Sequence, residues 1–212
     1  MNYNQILKEG ENFLKKSNIK SPNLDTELIL SKIINKKREE ILLNSKNKLK
    51  NTDLKKFKSY LLRRYHKEPM AYILGYKHFW KHKFLTNKSV LIPRPDTELI
   101  VEETLKHLPI DKSKKILDVG TGSGCIVVSL IKERPKCAAT AIDISRKALN
   151  VAKTNAKLHQ VENKIKFINI DIDKYKSSNY DLIISNPPYI NCIELNRLDD
   201  DIKLHEPKIA LS

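Results

Sequence analysis

Two stretches hold residue types arranged for chemistry. The first is Asn186-Pro187-Pro188-Tyr189, which follows directly on the apolar run DLIIS. Two prolines end any strand, because they donate no backbone N–H and fix φ. They leave a stiff backbone, bare carbonyl oxygens and an amide side chain. A planar –NH₂ group is a poor nucleophile, because its lone pair is delocalised. Two acceptors that hold its two N–H bonds orient that lone pair and offset developing positive charge. The side-chain oxygen of Asn186 is one such acceptor and the carbonyl of Pro187 the other. Tyr189 offers a ring to pack on the planar group. The substrate clamp is therefore read as Asn186, Pro187, Pro188 and Tyr189, with Asn186, Pro187 and Tyr189 as its catalytic members. No general base is required at the start.

The second stretch is Asp118-Val119-Gly120-Thr121-Gly122-Ser123-Gly124, which holds three of the chain's five glycines. Glycines here let the backbone turn sharply and approach a ligand closely. The spacing is G-x-G-x-G, preceded by an acid. It is neither the dinucleotide fingerprint G-x-G-x-x-G nor the phosphate loop G-x-x-x-x-G-K-[ST]. A carboxylate at Asp118 repels phosphates and suits a ligand with positive charge. Asp143 ends the next predicted strand, where an acid can accept both hydroxyls of a ribose. Asp171 is expected to end the strand after that. A nucleoside with a cationic group and no phosphates answers to S-adenosylmethionine.

The elements that must position these residues follow from periodicity. From position 114 onward strands and helices alternate: KKILDVG, CIVVSLIKER, ATAID, SRKALNVAKTNAKL, KIKFINID and YDLIIS. Such alternation predicts an α/β domain with a parallel sheet and helices on both faces, whose ligands bind beyond the carboxyl ends of the strands. Residues 1–75 instead read as a small helical bundle. Ile6, Leu7, Gly10, Phe13 and Leu14 recur at helical spacing. Ser21-Pro22 reads as an N-cap with proline at the first helical position, followed by Leu24, Leu28, Ile29 and Ile33 on the apolar face. A short helical turn covers Glu39 to Leu43. Thr52 is expected to cap a further helix that carries Leu54, Phe57, Leu61 and Tyr65. Residues 76–97 read as a hairpin or linker containing Trp80 and the rigid Ile92-Pro93-Arg94-Pro95, and residues 98–212 as the domain that does the chemistry.

The formal charge is +15, from 40 Lys and Arg against 25 Asp and Glu. It points to an acidic partner such as nucleic acid, a ribosome or an RNA-associated protein. The same surplus also follows from a composition rich in Lys, Asn and Ile along the whole chain. Direct nucleic-acid binding is compatible with the charge and not required by it. Cys125, Cys137 and Cys192 are odd in number and show no CxxC spacing, which argues against a disulfide framework or a zinc site. His78 and His82 are read as surface residues, so no metal is expected. The start, MNYNQILKEGENFLKK, has no signal-peptide core, and no run approaches a membrane span. A cytoplasmic protein without membrane contact, acting as a monomer, is expected.

The chain resembles the HemK/PrmC family, the release-factor glutamine methyltransferases. The likeness rests on PMAYILGYKHFW (69–80), VLIPRPDTELIVE (90–102), ILDVGTGSGCI (116–126), AIDIS (141–145), DLIISNPPYI (181–190) and HEPKIAL (205–211), with SPNLDTELIL in the helical part. The resemblance implies a Rossmann-like, seven-strand class I methyltransferase fold behind a helical domain that docks the release factor. The implied reaction is methylation of the amide nitrogen of the glutamine in the Gly-Gly-Gln tip of class I release factors, with S-adenosylmethionine as cofactor. By motif match, Gly120, Thr121, Gly122, Ser123 and Gly124 line the cofactor and Asp143 holds its ribose. Asp171 or Ile172 lies at its adenine, and Asn186 borders both cofactor and substrate. Arg94 and Thr97 border the pocket or brace the linker. Family members continue beyond HEPKIAL through a glycine pair and the final strands. A sheet without those strands, and with an open edge, is expected here. Three other readings stay open: a ribosomal-protein glutamine methyltransferase, an adenine-N6 nucleic-acid methyltransferase, and a non-catalytic binding module.

Overall fold

The computed structural model describes residues 1–176, 179–195 and 197–212. In chain order its elements are the helices α1 (Tyr3–Lys15), α2 (Pro22–Ile34), α3 (Arg38–Leu43), α4 (Asn51–Tyr65) and α5 (Met70–Leu74), the strands β1 (Tyr76–Phe79) and β2 (His82–Leu85), then α6 (Glu98–His107), β3 (Lys115–Val119), α7 (Cys125–Glu133), β4 (Ala138–Asp143), α8 (Arg146–Leu158), β5 (Ile165–Asn169), β6 (Leu182–Ser185), α9 (Cys192–Leu195) and α10 (Asp200–His205). They sort into two compact units. One comprises Met1–Leu74 with Asp199–His205, the other Gly75–Leu198 with Glu206–Ser212.

In the helical unit, α1 opens with a reciprocal cap. The Asn2 side chain accepts from the Gln5 amide at 2.9 Å, and Gln5 Oε1 accepts from the Asn2 amide at 3.0 Å. Ile6, Leu14, Ile29, Leu30, Ile41, Phe57 and Leu61 form the core. Gly10 lets α1 approach α2 closely: a Cβ there would lie 2.6 Å from Thr26 Cγ2. The structure corrects the expected face of α2. Ile29 is buried, but Leu30 joins it and Leu24 is exposed. The stripe is rotated because Asp25 and Thr26 turn inward, Asp25 to reach Arg64 at 2.7 Å and Thr26 to pack at Gly10. Ser21 holds the N-cap position without a side-chain cap bond. Helix α4 likewise starts one residue before Thr52, with Lys50 at its N-cap and no side-chain cap.

In the second unit, β1 and β2 form an antiparallel hairpin whose Phe79 and Phe84 meet edge to face at 6.0 Å. Both rings are buried in one core with Ile116, Val127, Val128, Leu130 and Ala141. The main sheet has four parallel strands in the order β5-β4-β3-β6. Seven strands were implied by the resemblance; four stand in this sheet among the described residues, where β6 has β3 as its one partner. Cys125 and Cys137 are buried free thiols, and the side chain of Cys192 lies outside the described ones. Among the described residues no helix is long and apolar enough to cross a membrane.

Candidate functional site

The chain runs from β3 to β4 to β5 on one side of the sheet and returns to place β6 on the other side of β3. The strand order therefore reverses between β3 and β6, where a crevice forms beyond the carboxyl ends of open α/β sheets. Val119 is in register with Ser185, and the Ser185 hydroxyl donates to the Val119 carbonyl at 3.0 Å. The glycine loop leaves β3 and Asn186-Pro187-Pro188-Tyr189 leaves β6, so the two predicted stretches emerge from neighbouring strand ends.

The glycine loop is built for a close approach but not for a phosphate. Gly120, Gly122 and Gly124 all have positive φ, at 70°, 57° and 78°. A Cβ would meet nothing within 4 Å at Gly120, and at Gly122 only the Gly120 carbonyl at 3.9 Å. Both positions thus present open backbone. Gly124 differs: its Cβ would lie 3.1 Å from Ala152 Cβ, so this glycine lets α7 pack on α8. A phosphate cradle needs free amides. Here the Gly120 and Thr121 amides donate to the Ile142 carbonyl, Gly122 to Asp143 and Gly124 to the Thr121 carbonyl. Thr121 and Ser123 are buried. The Thr121 hydroxyl donates down to Asp118 at 2.6 Å, and the Ser123 carbonyl accepts from Asn155 at 2.8 Å. The outer face of the loop is therefore mainly backbone.

Asp118 is buried under this loop, and its second oxygen has no hydrogen-bond partner among the described residues. Burial raises its pKa to about 7, against the donation from Thr121, and the nearby Asp143 carboxylate adds to the rise. Burial likewise pushes the Cys125 thiol up to about 12, which keeps it inert.

Asp143 stands at the end of β4. One oxygen accepts from the Gly122 amide at 2.9 Å and the other from the Ser145 amide at 2.8 Å. A carboxylate has about four acceptor sites, so one on each oxygen stays available for a ribose hydroxyl. The structure corrects the place of Asp171. Strand β5 ends at Asn169, whose amide donates to the carbonyls of Asp143 and Ile144 at 2.9 and 2.8 Å. Asp171 lies beyond it, capping a short 3-10 turn by accepting from the Asp173 amide at 3.1 Å. Ile172 is exposed, as is Ile144 just after Asp143. These strand-end residues fit a nucleoside without phosphates: two acceptor sites for vicinal hydroxyls, two exposed aliphatic side chains and an open glycine backbone. Asp118, expected to face a cationic ligand, lies buried beneath the loop instead.

On the β6 side, Asn186 is half-buried and Tyr189 is 80% exposed. Asn186 Nδ2 donates to the buried Thr97 hydroxyl at 3.3 Å, and no other side-chain bond forms at Asn186 among the described residues. Its Oδ1 is thus open, as is the Pro187 carbonyl, which accepts no bond among those residues. Thr97 closes a 3-10 turn, Pro95–Thr97, at the head of α6. The preceding segment is pinned by Glu206, a buried carboxylate. It accepts from Arg94 Nη2 at 2.6 Å and from the Ile92 amide at 3.1 Å. Asn155, Asn169 and Glu206 carry this architecture without having been singled out by the sequence reading. Asn155 shows a signal there, as the one amide on an otherwise aliphatic face of α8. Glu206 shows none beyond its place in HEPKIAL.

Comparison with known proteins agrees in two independent places. Residues 97–197 match the family model described as methyltransferase small domain, and residues 5–75 the one described as PrmC N-terminal domain. A release factor glutamine methyltransferase of Buchnera aphidicola is 38% identical over 207 residues, covering 95% of this chain and 74% of that protein. One of Caulobacter vibrioides is 37% identical, over 93% of this chain and 69% of its own length. A bifunctional methyltransferase of Rickettsia typhi is 36% identical over 98% of this chain, which spans 44% of that longer protein.

Proposed function

The chain belongs to the HemK/PrmC family of S-adenosylmethionine-dependent methyltransferases, and from that premise we propose that it methylates the side-chain amide nitrogen of a glutamine in class I peptide chain release factors, at the Gly-Gly-Gln motif. The observation that carries this reading is the pair of open acceptors at the end of β6, Asn186 Oδ1 and the Pro187 carbonyl, beside the glycine loop of β3. S-adenosylmethionine, when bound, supplies a methyl group on an electrophilic sulfonium. Asp143 would hold its ribose hydroxyls, Ile144 and Ile172 its adenine, and the backbone of Gly120 and Gly122 its amino-acid end. Asn186 and Pro187 accept the two N–H bonds of the glutamine amide, which turns the nitrogen lone pair toward the crevice. As the nitrogen gains positive charge, both acceptors strengthen. Tyr189 covers the planar amide. Water takes the proton afterwards, so no side chain with a tuned pKa is needed. The setting that goes with this substrate is the cytoplasm.

The test offers labelled S-adenosylmethionine with a class I release factor, the same factor with its Gly-Gly-Gln glutamine replaced, and duplex DNA. Label on the intact factor alone is expected. In that assay Asn186→Ala should lower turnover by roughly 100-fold or more, as loss of a transition-state hydrogen bond does, with cofactor affinity within a few fold. Label on DNA would overturn the substrate.

A further inference from the structure

We propose that Thr97 is a positioning residue, which anchors the Asn186 side chain by its amide nitrogen and so holds its oxygen toward the substrate. The inference rests on the proposed glutamine clamp and deepens it. An Asn side chain can point either its acceptor or its donors at a ligand, and the two orientations have nearly the same shape. Only one serves a –NH₂ substrate, since an Nδ2 turned outward would set donor against donor. A hydroxyl can donate or accept, so the two N–H bonds of the substrate select the orientation and Thr97 holds the side chain in it. The Thr97 hydroxyl does this by accepting from Nδ2 at 3.3 Å.

Thr97 is well placed to be rigid. It is 8% exposed, and its amide donates to the Arg94 carbonyl at 3.1 Å. Two prolines, Pro93 and Pro95, stiffen the approach to it. Upstream, Glu206 grips Ile92 and Arg94 from the far end of the chain. The Glu206 side chain is only 1% exposed and that of Arg94 34%, so the carboxylate end of this grip is shielded from water. A partly buried ion pair thus anchors a proline-stiffened turn, and the turn presents one hydroxyl to one amide. Thr97 touches no reacting atom in this scheme and acts through Asn186.

The experiment pairs two substitutions with two readouts. Thr97→Val keeps the shape and removes the hydroxyl, and Thr97→Ser restores it. The first readout is the side-chain amide resonance of Asn186 in 15N-labelled protein, assigned by its loss in Asn186→Ala. It should show a hydrogen-bonded, exchange-protected N–H in the wild type and in Thr97→Ser but not in Thr97→Val. The second is steady-state methyl transfer to a class I release factor. Thr97→Val should lower kcat by roughly 10- to 100-fold, the scale of a small misplacement at a reacting group, with KM within about twofold and recovery in Thr97→Ser. An Asn186 resonance indifferent to Thr97→Val would overturn the inference whatever the activity. So would an unchanged kcat in Thr97→Val beside an active wild type. A wild type that labels no release factor, yet shows the Thr97-dependent resonance, would sink the proposed substrate and leave the positioning contact standing.

Discussion

Asp118 shows how one residue under the glycine loop ties site chemistry to stability. Its carboxyl is buried, with one oxygen bonded to Thr121 and the other without a partner among the described residues. Desolvation lifts its pKa from the ordinary 3.8 to about 7. A carboxyl whose pKa is higher folded than unfolded favours the native state while it is protonated. For Asp118 that contribution is complete below about 3.8 and is lost as pH rises to about 7, after which it changes no further. Within this window a single group changes stability by about 1.4 kcal/mol per pH unit. Asp118→Asn removes the titration and keeps the shape. The variant and the wild type should therefore diverge between pH 5 and 7, the variant becoming the more stable, and run parallel above about 7. Urea unfolding at pH 5, 6, 7 and 8 measures this. Parallel curves across the whole range would mean that Asp118 is ionised in the folded chain.

At the scale of elements, the glycine loop has two jobs that a substitution pair separates. Gly122→Ala meets no obstacle, yet it forces a side chain onto a left-handed backbone at φ 57°. That costs about 1–2 kcal/mol and distorts the open face, so affinity for S-adenosylhomocysteine should fall. Gly124→Ala carries the same kind of strain and adds an overlap with Ala152. It should lose more stability, about 2–4 kcal/mol in total, by prising α7 from α8. Calorimetric binding and thermal melting of both variants check the split, and equal melting losses would contradict it. The alternation of strands and helices after residue 114, and the acids and glycines near strand ends, are legible in the sequence because they are local patterns. What ends a strand is not. Asp171 looks terminal, but the ladder stops at Asn169, whose amide caps two carbonyls of the neighbouring strand end. The Glu206–Arg94 pair spans 112 positions, so no periodicity announces it. The face of α2 was misread because its pattern counts apolar residues, whereas Asp25 is drawn inward by a partner 39 positions away.

At the scale of the whole molecule, the helical unit is discontinuous: it takes Asp199–His205 from beyond the sheet. Arg64 reaches that segment at Asp201: its guanidinium, only 10% exposed, donates to Asp25 at 2.7 Å, Asp201 at 2.6 Å and the Glu68 carbonyl at 3.1 Å. Lys20 on Asp199, and a His205 ring nitrogen on the His66 carbonyl, add exposed contacts. The two carboxylates around Arg64 are not equivalent. Asp25 is 7% exposed and Asp201 33%. Burial raises the Asp25 pKa even with Arg64 beside it, while the carboxylates outweigh burial at Arg64 and hold its own pKa up. Removing the cation leaves Asp25 desolvated and without its charge partner, whereas removing Asp201 leaves Arg64 the buried Asp25 carboxylate and the Glu68 carbonyl. Arg64→Ala should then cost about 3–5 kcal/mol and Asp201→Ala about 1 kcal/mol, as for a partly screened pair. Asp25→Asn placed on the Arg64→Ala background should recover part of the loss, because it removes the stranded charge. The sign with pH follows: in Arg64→Ala the deficit should shrink toward acid pH, where Asp25 is protonated. Urea unfolding of the three variants at pH 5 and 8 reads all of this. Equal costs for Arg64→Ala and Asp201→Ala, with no recovery in the double variant, would reduce the network to surface pairs and leave the attachment of Asp199–His205 to its packing alone.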